Sequence, residues 1–247
     1  LEHPSGQPIS ATTGTFSGDL TVDTTTLKVD STNNLVGIGT ASPASTLTVA
    51  HASGSDGRGI RLVNSSNNQT YETRIGTEGI ENTSYSIRDM TADVVRFSID
   101  SSGRVTTPSQ PSCLVRMSNV SGIDATGQIA LGNGYWQALS GGAFDNGSNF
   151  STSTGRFTAP VTGYYHFTHH MRVDAANGSY LYTSILENSN DLVSRDLRSI
   201  STSYQTLHNS GNAYLAANDY LYVQFHVVGD SSVNIDSDSF FSCFLIG

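Results

Sequence analysis

Apolar residues in this chain come in short alternating pulses that lengthen toward the C-terminus. Between Gln7 and Ala50, Leu20-Thr-Val22, Leu27-Lys-Val29, Leu35-Val-Gly-Ile38 and Leu47-Thr-Val49 are set in a background of Thr, Ser, Gly and Asp. Alternation at this length predicts strands, each too short to build a core alone. Such strands bury a face only against other strands, so residues 1–48 are expected to form an intertwined β shaft. Residues 49–108 read as a denser β module, with strands at Ile60-Arg-Leu-Val63, Tyr71-Glu-Thr-Arg-Ile75, Tyr85-Ser-Ile-Arg88 and Val94-Val-Arg-Phe-Ser-Ile99. From 109 to 247 the apolar runs lengthen and aromatics gather. Tyr164-Tyr-His-Phe167, Tyr180-Leu-Tyr182, Tyr220-Leu-Tyr-Val-Gln-Phe225 and Phe240-Phe-Ser-Cys-Phe-Leu-Ile246 predict the core strands of a sandwich. The expected class is all-β.

Two segments echo each other. Leu27-Lys-Val-Asp30 and Phe97-Ser-Ile-Asp100 each run into a polar turn (Asn33-Asn34, Ser102-Gly103), then a second strand stopped by Pro43 or Pro108. That is a hairpin signature. Arg61, Arg74, Arg88 and Arg96 recur at positions read as a solvated strand face. Thr106-Thr-Pro-Ser-Gln-Pro-Ser112 reads as a semi-rigid linker before the last module.

Composition narrows the partners. Lys+Arg number 12 against 21 Asp+Glu, a formal net charge of −9, and Lys28 is the lone lysine. No basic stripe is present to release counterions from nucleic acid, so nucleic acid is not an expected partner. No apolar run approaches the ~18 residues of a membrane helix, so membrane insertion is not expected either. The abundance of Ser, Thr, Asn and Gly disfavours long helices. The opening Leu-Glu-His-Pro lacks the regions of a signal peptide and reads as a junction within a longer polypeptide. Cys113 and Cys243 show no metal-ligand or CxxC spacing, and are expected to be two buried thiols.

In the last module, Gly155-Arg-Phe-Thr-Ala-Pro-Val-Thr-Gly-Tyr-Tyr-His-Phe167 resembles the G-x-F-x-x-P-x-x-G-x-Y-x-F signature of the C1q/TNF-like jelly roll. Leu215-Ala-Ala-Asn-Asp-Tyr-Leu-Tyr-Val223 and Ser239-Phe-Phe-Ser-Cys-Phe-Leu-Ile246 follow in order and resemble two further strands of that family. Asn218 and Cys243 stand where the family carries glycine. Asp30-Ser-Thr-Asn-Asn-Leu-Val-Gly-Ile-Gly-Thr-Ala-Ser-Pro43 is similar to shaft repeats of bacteriophage tail fibres. Together these imply a virion tail fibre, homotrimeric, ending in a C1q-like jelly-roll head at 109–247 and joined to other virion tail proteins. Its expected ligand is a host cell-surface glycan or protein.

Residues that carry chemistry are few. Val36-Gly-Ile-Gly-Thr-Ala-Ser42 lacks the third glycine and the helix of a dinucleotide fingerprint. No nucleophile elbow, HExxH or carboxylate pair on a convincing scaffold occurs, so an enzyme is not expected. His166 and His170 fall on one face of a predicted strand and His169 on the other, a structural arrangement more readily than a metal pair.

If the resemblance holds, strand parity gathers the loops 174–178, 199–203 and 229–238 at the end far from the shaft, with 122–134 beside them. The segments 188–191 and 216–218 fall at the base. Distal loops on a rigid β scaffold are where a fibre meets its target. The candidate receptor-binding residues are Tyr135, Trp136, Asn177, Tyr204 and Asn234, because aromatic faces with polar neighbours suit sugar rings. Asp174, Asp230, Asp236 and Asp238 are candidate Ca²⁺ ligands, multiplied by threefold symmetry. The alternative function is a secreted C1q-like lectin, or a surface-filament tip adhesin, of a cellular organism.

Overall fold

The computed structural model describes residues 18–23, 26–50, 59–77, 80–137, 142–174, 178–188, 191–200 and 204–247. All regular structure among them is β. None of these residues forms a helix long and apolar enough to cross a membrane. The chain divides into two compact units, Leu1–Thr107 and Pro108–Gly247.

In the first unit, β1 (Leu20–Val22), β2 (Leu27–Asp30), β3 (Leu35–Ile38) and β4 (Leu47–Val49) pair in that order, the last two in parallel. Within one chain the four pulses thus form a small sheet of their own, which leaves Val22, Ile38, Leu47 and Val49 exposed. The β2–β3 turn is closed by Asp30, whose Oδ1 accepts from the backbone N–H groups of Thr32 and Asn33, with Asn34 at φ 57°. A second sheet follows in the order β5 (Ile60–Asn64), β6 (Gln69–Thr77), β7 (Ile80–Asp89), β8 (Val94–Ile99), β9 (Val105–Thr106). Its β8–β9 turn repeats the device: Asp100 Oδ1 accepts from Ser102 and Arg104, with Gly103 at φ 79°. An aspartate that caps its own turn explains why both hairpins carry Asp at the strand end.

The expected solvated arginine face is not what this sheet shows. Glu72 is fully buried and Arg74 and Arg88 nearly so. Glu72 accepts from Arg61 at 2.8 Å and from Arg74 at 3.3 Å, Asp89 accepts from Arg96 at 2.8 Å, and Arg88 pairs with Asp93. The register sets Arg61 opposite Glu72 and Glu72 opposite Arg88, so the charges share one face. Buried ions persist only when paired, which is the arrangement found.

The second unit is a two-layer sandwich. One sheet runs β11 (Val120–Ile123), β21 (Val233–Ile235), β16 (Gly163–Asp174), β22 (Phe240–Leu245), β10 (Ser112–Arg116), β13 (Phe144–Asn146), with β19 (Tyr204–Leu215) along the free side of β16. The other runs β14 (Phe150–Ser151), β15 (Arg156–Thr158), β20 (Tyr220–Val228), β17 (Tyr180–Glu187), β18 (Asp191–Ser199), with β12 (Ile129–Ala130) also on β20. Inward residues from both layers, among them Phe157, Tyr165, Phe167, Met171, Leu181 and Phe225, are wholly buried between them. Two packed β layers are what the C1q/TNF-like resemblance implies for 109–247.

Three positions explain the sequence signature. Gly155 has φ +67°, and a Cβ there would meet the Leu131 carbonyl and lie 2.7 Å from Trp136 Nε1. Gly163 has no such dihedral; a Cβ there would lie 2.7 Å from Leu245 Cδ1, so close approach keeps it small. Asn218 takes the left-handed conformation (φ 78°), the role a glycine would fill. Cys243 lies opposite Cys113 across β10 and β22, and both are buried, free thiols. Burial pushes the Cys113 thiol up to about 12 and raises Cys243 as well.

Candidate functional site

The strand directions bring several loops to one end of the sandwich. The backbone N–H of Ser179 donates to Val228 O (2.8 Å), and that of Ile200 to Ser179 O (3.2 Å). Gly122 N–H donates to Asn234 Oδ1 (3.0 Å), and Ser237 N–H to Asn119 Oδ1 (2.6 Å). The segments around 120, 179, 200 and 228–238 therefore form one apical surface. At the opposite end Asn188 bonds Asp219 and the Asn218 N–H donates to Ala159 O, which makes the base.

Arg172, near the end of β16, organises the apex. Its Nη1 lies 3.4 Å from Asp236 and 3.2 Å from Asp238, and its guanidinium carbon stands 4.7 Å from the centroid of the Tyr204 ring. Burial opposes the charge, but Asp236, Asp238 and Asp174 outweigh it and raise the Arg172 pKa. Tyr204 is 58% exposed, opposite Asp174 in the strand register. Asp174 also pairs with Asn234, and its Oδ1 is buried with no hydrogen-bond partner among the described residues.

The sequence-based candidates thus separate. Tyr204 and Asn234 lie in the apical cluster; Asn234 spends its side-chain oxygen on the Gly122 amide. Asn177 lies outside the described residues, as do 175–176 and 201–203 of the candidate loops. Trp136 belongs to the core instead. It is 6% exposed, its Nε1 donates to Leu131 O at 2.6 Å, and it meets Phe150 edge-to-face at 5.0 Å. Tyr135 is partly buried against the same core, and burial raises its pKa. The reason is the isolated bridge between Met117 and Trp136, which lays this segment alongside the extension of β10.

Three of the four aspartates, Asp174, Asp236 and Asp238, gather around the Arg172 guanidinium. Asp236 and Asp238 face Arg172, and Asp230 Oδ1 caps the Ser232 amide. Among the described residues no group of three or more His, Cys, Asp or Glu side chains is arranged to hold a metal ion. His169 points inward and donates from Nδ1 to Phe240 O (3.0 Å). His170 stacks on Phe240 (5.5 Å) and faces His208 across the strand pair. The apex is a surface of fixed charge and aromatic area, suited to binding. Arg172 was not a sequence-based candidate; its only signal was a cation ending a long strand ahead of an acidic loop.

Residues 143–246 match the family model of the C1q domain. C1q domains are binding and recognition modules that generally form trimers. The globular domain of zebrafish complement 1qA protein is similar at 19% identity, with 56% of this chain and 98% of that chain covered and a TM-score of 0.41. No curated protein matches the chain.

Proposed function

We propose that this chain is the distal part of a bacteriophage tail fibre, a homotrimer whose C1q head attaches to a host cell-surface glycan or protein. The observation that carries the adhesive reading is the apical cluster, in which exposed Tyr204 is held by Arg172 and by its strand register against Asp174. An aromatic ring beside fixed charges and amides suits a sugar or a polar peptide, and no covalent chemistry is required of it.

Assembly is supported by the outer face of the β16–β19–β22 sheet. Tyr164, Tyr214 and Phe244 are exposed there, Tyr164 and Tyr214 meet at 5.2 Å, and His166 lies against Phe244. A contiguous aromatic face of this kind marks an interaction surface. The Asp30–Pro43 hairpin and its likeness to fibre shafts support the virion placement. A secreted C1q-like lectin, or a filament tip, uses the same head, and the C1q match fits it equally well.

The test is adsorption of the labelled full chain to a panel of bacterial strains, with light scattering on the same sample. A mass near three times 26.2 kDa is expected. Saturable binding to a subset of strains should be lost in Tyr204→Ala and Arg172→Gln with the mass unchanged. A monomer at micromolar concentration ends the trimer reading. Undiminished adsorption by both variants removes the apex as the site. Binding to animal-cell glycans alone selects the lectin.

A further inference from the structure

His166 and His170 of β16 and His208 of β19 share the outer face of the first head sheet. His166 is committed there: its Nδ1 bonds Asn212 Oδ1 at 2.8 Å, and its Nε2 lies 3.4 Å from Thr168 Oγ1. The inward-facing His169 is committed too, to Phe240 O. The ring nitrogens of His170 and His208 make no hydrogen bond among the described residues. The backbone N–H of His208 donates to Asp196 Oδ2 at 2.8 Å, which fixes the strand and leaves the ring uncommitted.

These two rings are neighbours. β16 and β19 run antiparallel, with His170 directly opposite His208. Opposed residues of such a pair project to the same side, with Cβ atoms about 5 Å apart. Their ring centroids stand 6.3 Å apart at an interplanar angle of 63°. Two imidazoles that share one ion, each nitrogen about 2.1 Å from it, have centroids about 4.5–6.5 Å apart. The pair is therefore already at ligating separation, and the exposed His208 ring is free to turn closer. His170 is oriented from its other side, where it stacks on Phe240 at 5.5 Å and 17°.

An imidazole binds a metal only as the neutral base. Burial, helped by His208, lowers the His170 pKa against the pull of Asp238, so the lone pair is available at neutral pH. The surrounding charges admit a cation. Arg172, two residues further along β16, is balanced by Asp236 and Asp238, and Arg116 lies beyond Phe240 on β10. Imidazole nitrogen suits Cu²⁺, Ni²⁺ and Zn²⁺, whereas Ca²⁺ takes oxygen ligands. We propose that His170 and His208 form a transition-metal site that clips β19 to β16, with the other coordination positions left to water. Without a third such ligand among the described residues, the site is open and exchangeable. It uses neither the apical loops nor the shaft, so it stands or falls separately from the adhesive reading.

The full chain, freed of metal by a chelator and dialysed, is titrated calorimetrically near neutral pH with NiCl₂, CuCl₂ and CaCl₂. Copper should bind more tightly than nickel, and calcium should not compete with either. His170→Gln and His208→Gln should each weaken nickel binding at least about tenfold, the least that loss of even an outer-shell partner costs. His166→Gln, whose ring is already bonded, should leave it unchanged. Melts without metal check that the variants remain folded, and nickel should raise the melting temperature of the original chain but not of the double variant. A readout free of substitutions is broadening by Cu²⁺ of the His170 and His208 ring-proton resonances ahead of those of His166. Equal nickel affinity in the original chain and the His170→Gln/His208→Gln variant overturns the proposal. So does calcium binding as tight as nickel, or no nickel binding at millimolar concentration.

Discussion

In the head, strand alternation sends Tyr165, Phe167 and Met171 of β16 inward, where Tyr165 meets Phe157 edge-to-face at 5.6 Å. In the β5–β9 sheet the same alternation buries Glu72, Arg74, Ser86 and Arg88, and turns Ile60, Leu62, Tyr71 and Ile75 to solvent. The head closes its apolar faces against each other within one chain. The middle sheet closes a charged face with ion pairs and leaves an apolar face without a cover among the described residues. The first arrangement is complete in a monomer; the second offers its hydrophobic contribution to another surface.

The largest effect should come from removing packing in the head. Phe167→Ala empties a site of zero exposure between the two sheets, at an expected cost of about 3–5 kcal/mol. Denaturant melts followed by tyrosine fluorescence measure it. A loss below about 1 kcal/mol would mean that the head core is looser than its burial implies.

The counterpart in the middle sheet is Glu72→Gln. It removes the buried carboxylate that accepts from both Arg61 and Arg74 and puts a neutral amide in its place. Breaking a buried pair in this way costs about 3 kcal/mol, whereas the exposed, solvent-screened Arg104–Asp100 pair should contribute far less. Hydrogen exchange across β6 and β7 reads the local loss. Equal effects from Glu72→Gln and Asp100→Asn would show that burial does not govern the charged face.

Acid should separate the two regions at smaller amplitude. His169 is fully enclosed, and burial pulls its pKa down to about 4, against the Phe240 hydrogen bond and with the help of His170 and His208. Its ordinary value is 6.5, so the unfolded chain takes up the proton first as pH falls. The stability tied to its neutral form is complete above 6.5 and is lost between 6.5 and about 4, up to about 3 kcal/mol. Asp89 of the middle sheet behaves differently. The Ala92 amide and Arg96 hold it at about 2, so its contribution is lost only below 3.8. Head melting temperatures should fall through pH 6 to 4 and flatten in His169→Gln. An unchanged slope in that variant assigns the acid sensitivity elsewhere.

The sandwich was legible because its signals are local. The Gly155 to Phe167 run marks a turn, a close approach and a strand, and the structure gives a steric reason for both glycines. The pulses at 20–49 were legible as strands for the same reason, since each alternates cleanly. The inverted middle sheet was not legible. Arg74 and Arg88 on a strand read as solvated until the register sets Glu72 beside them, and register is a property of two strands. Trp136 misled in the opposite sense: an aromatic beside a loop looks like a binding residue, yet only the Leu131 carbonyl and the Gly155 turn reveal it as core.

The smallest stability effect is the most informative about the comparison itself. Leu62 is 69% exposed, on the apolar face shared with Ile60 and Tyr71. Leu62→Ser removes little packing within the chain, so the monomer should lose less than about 0.5 kcal/mol. If that face is covered by other copies, the same substitution should weaken assembly by more than it weakens folding, because it places a hydroxyl in an apolar contact. The measurement is paired: a melt under dissociating dilution, and light scattering across a concentration series. Weakened association with unchanged monomer stability confirms that the middle sheet keeps its hydrophobic face for its own copies. A large loss of monomer stability would show that the face is already covered within one chain. Unchanged association would leave assembly to the head alone, and the inverted sheet would then be a stable exposed face maintained by its buried ion pairs.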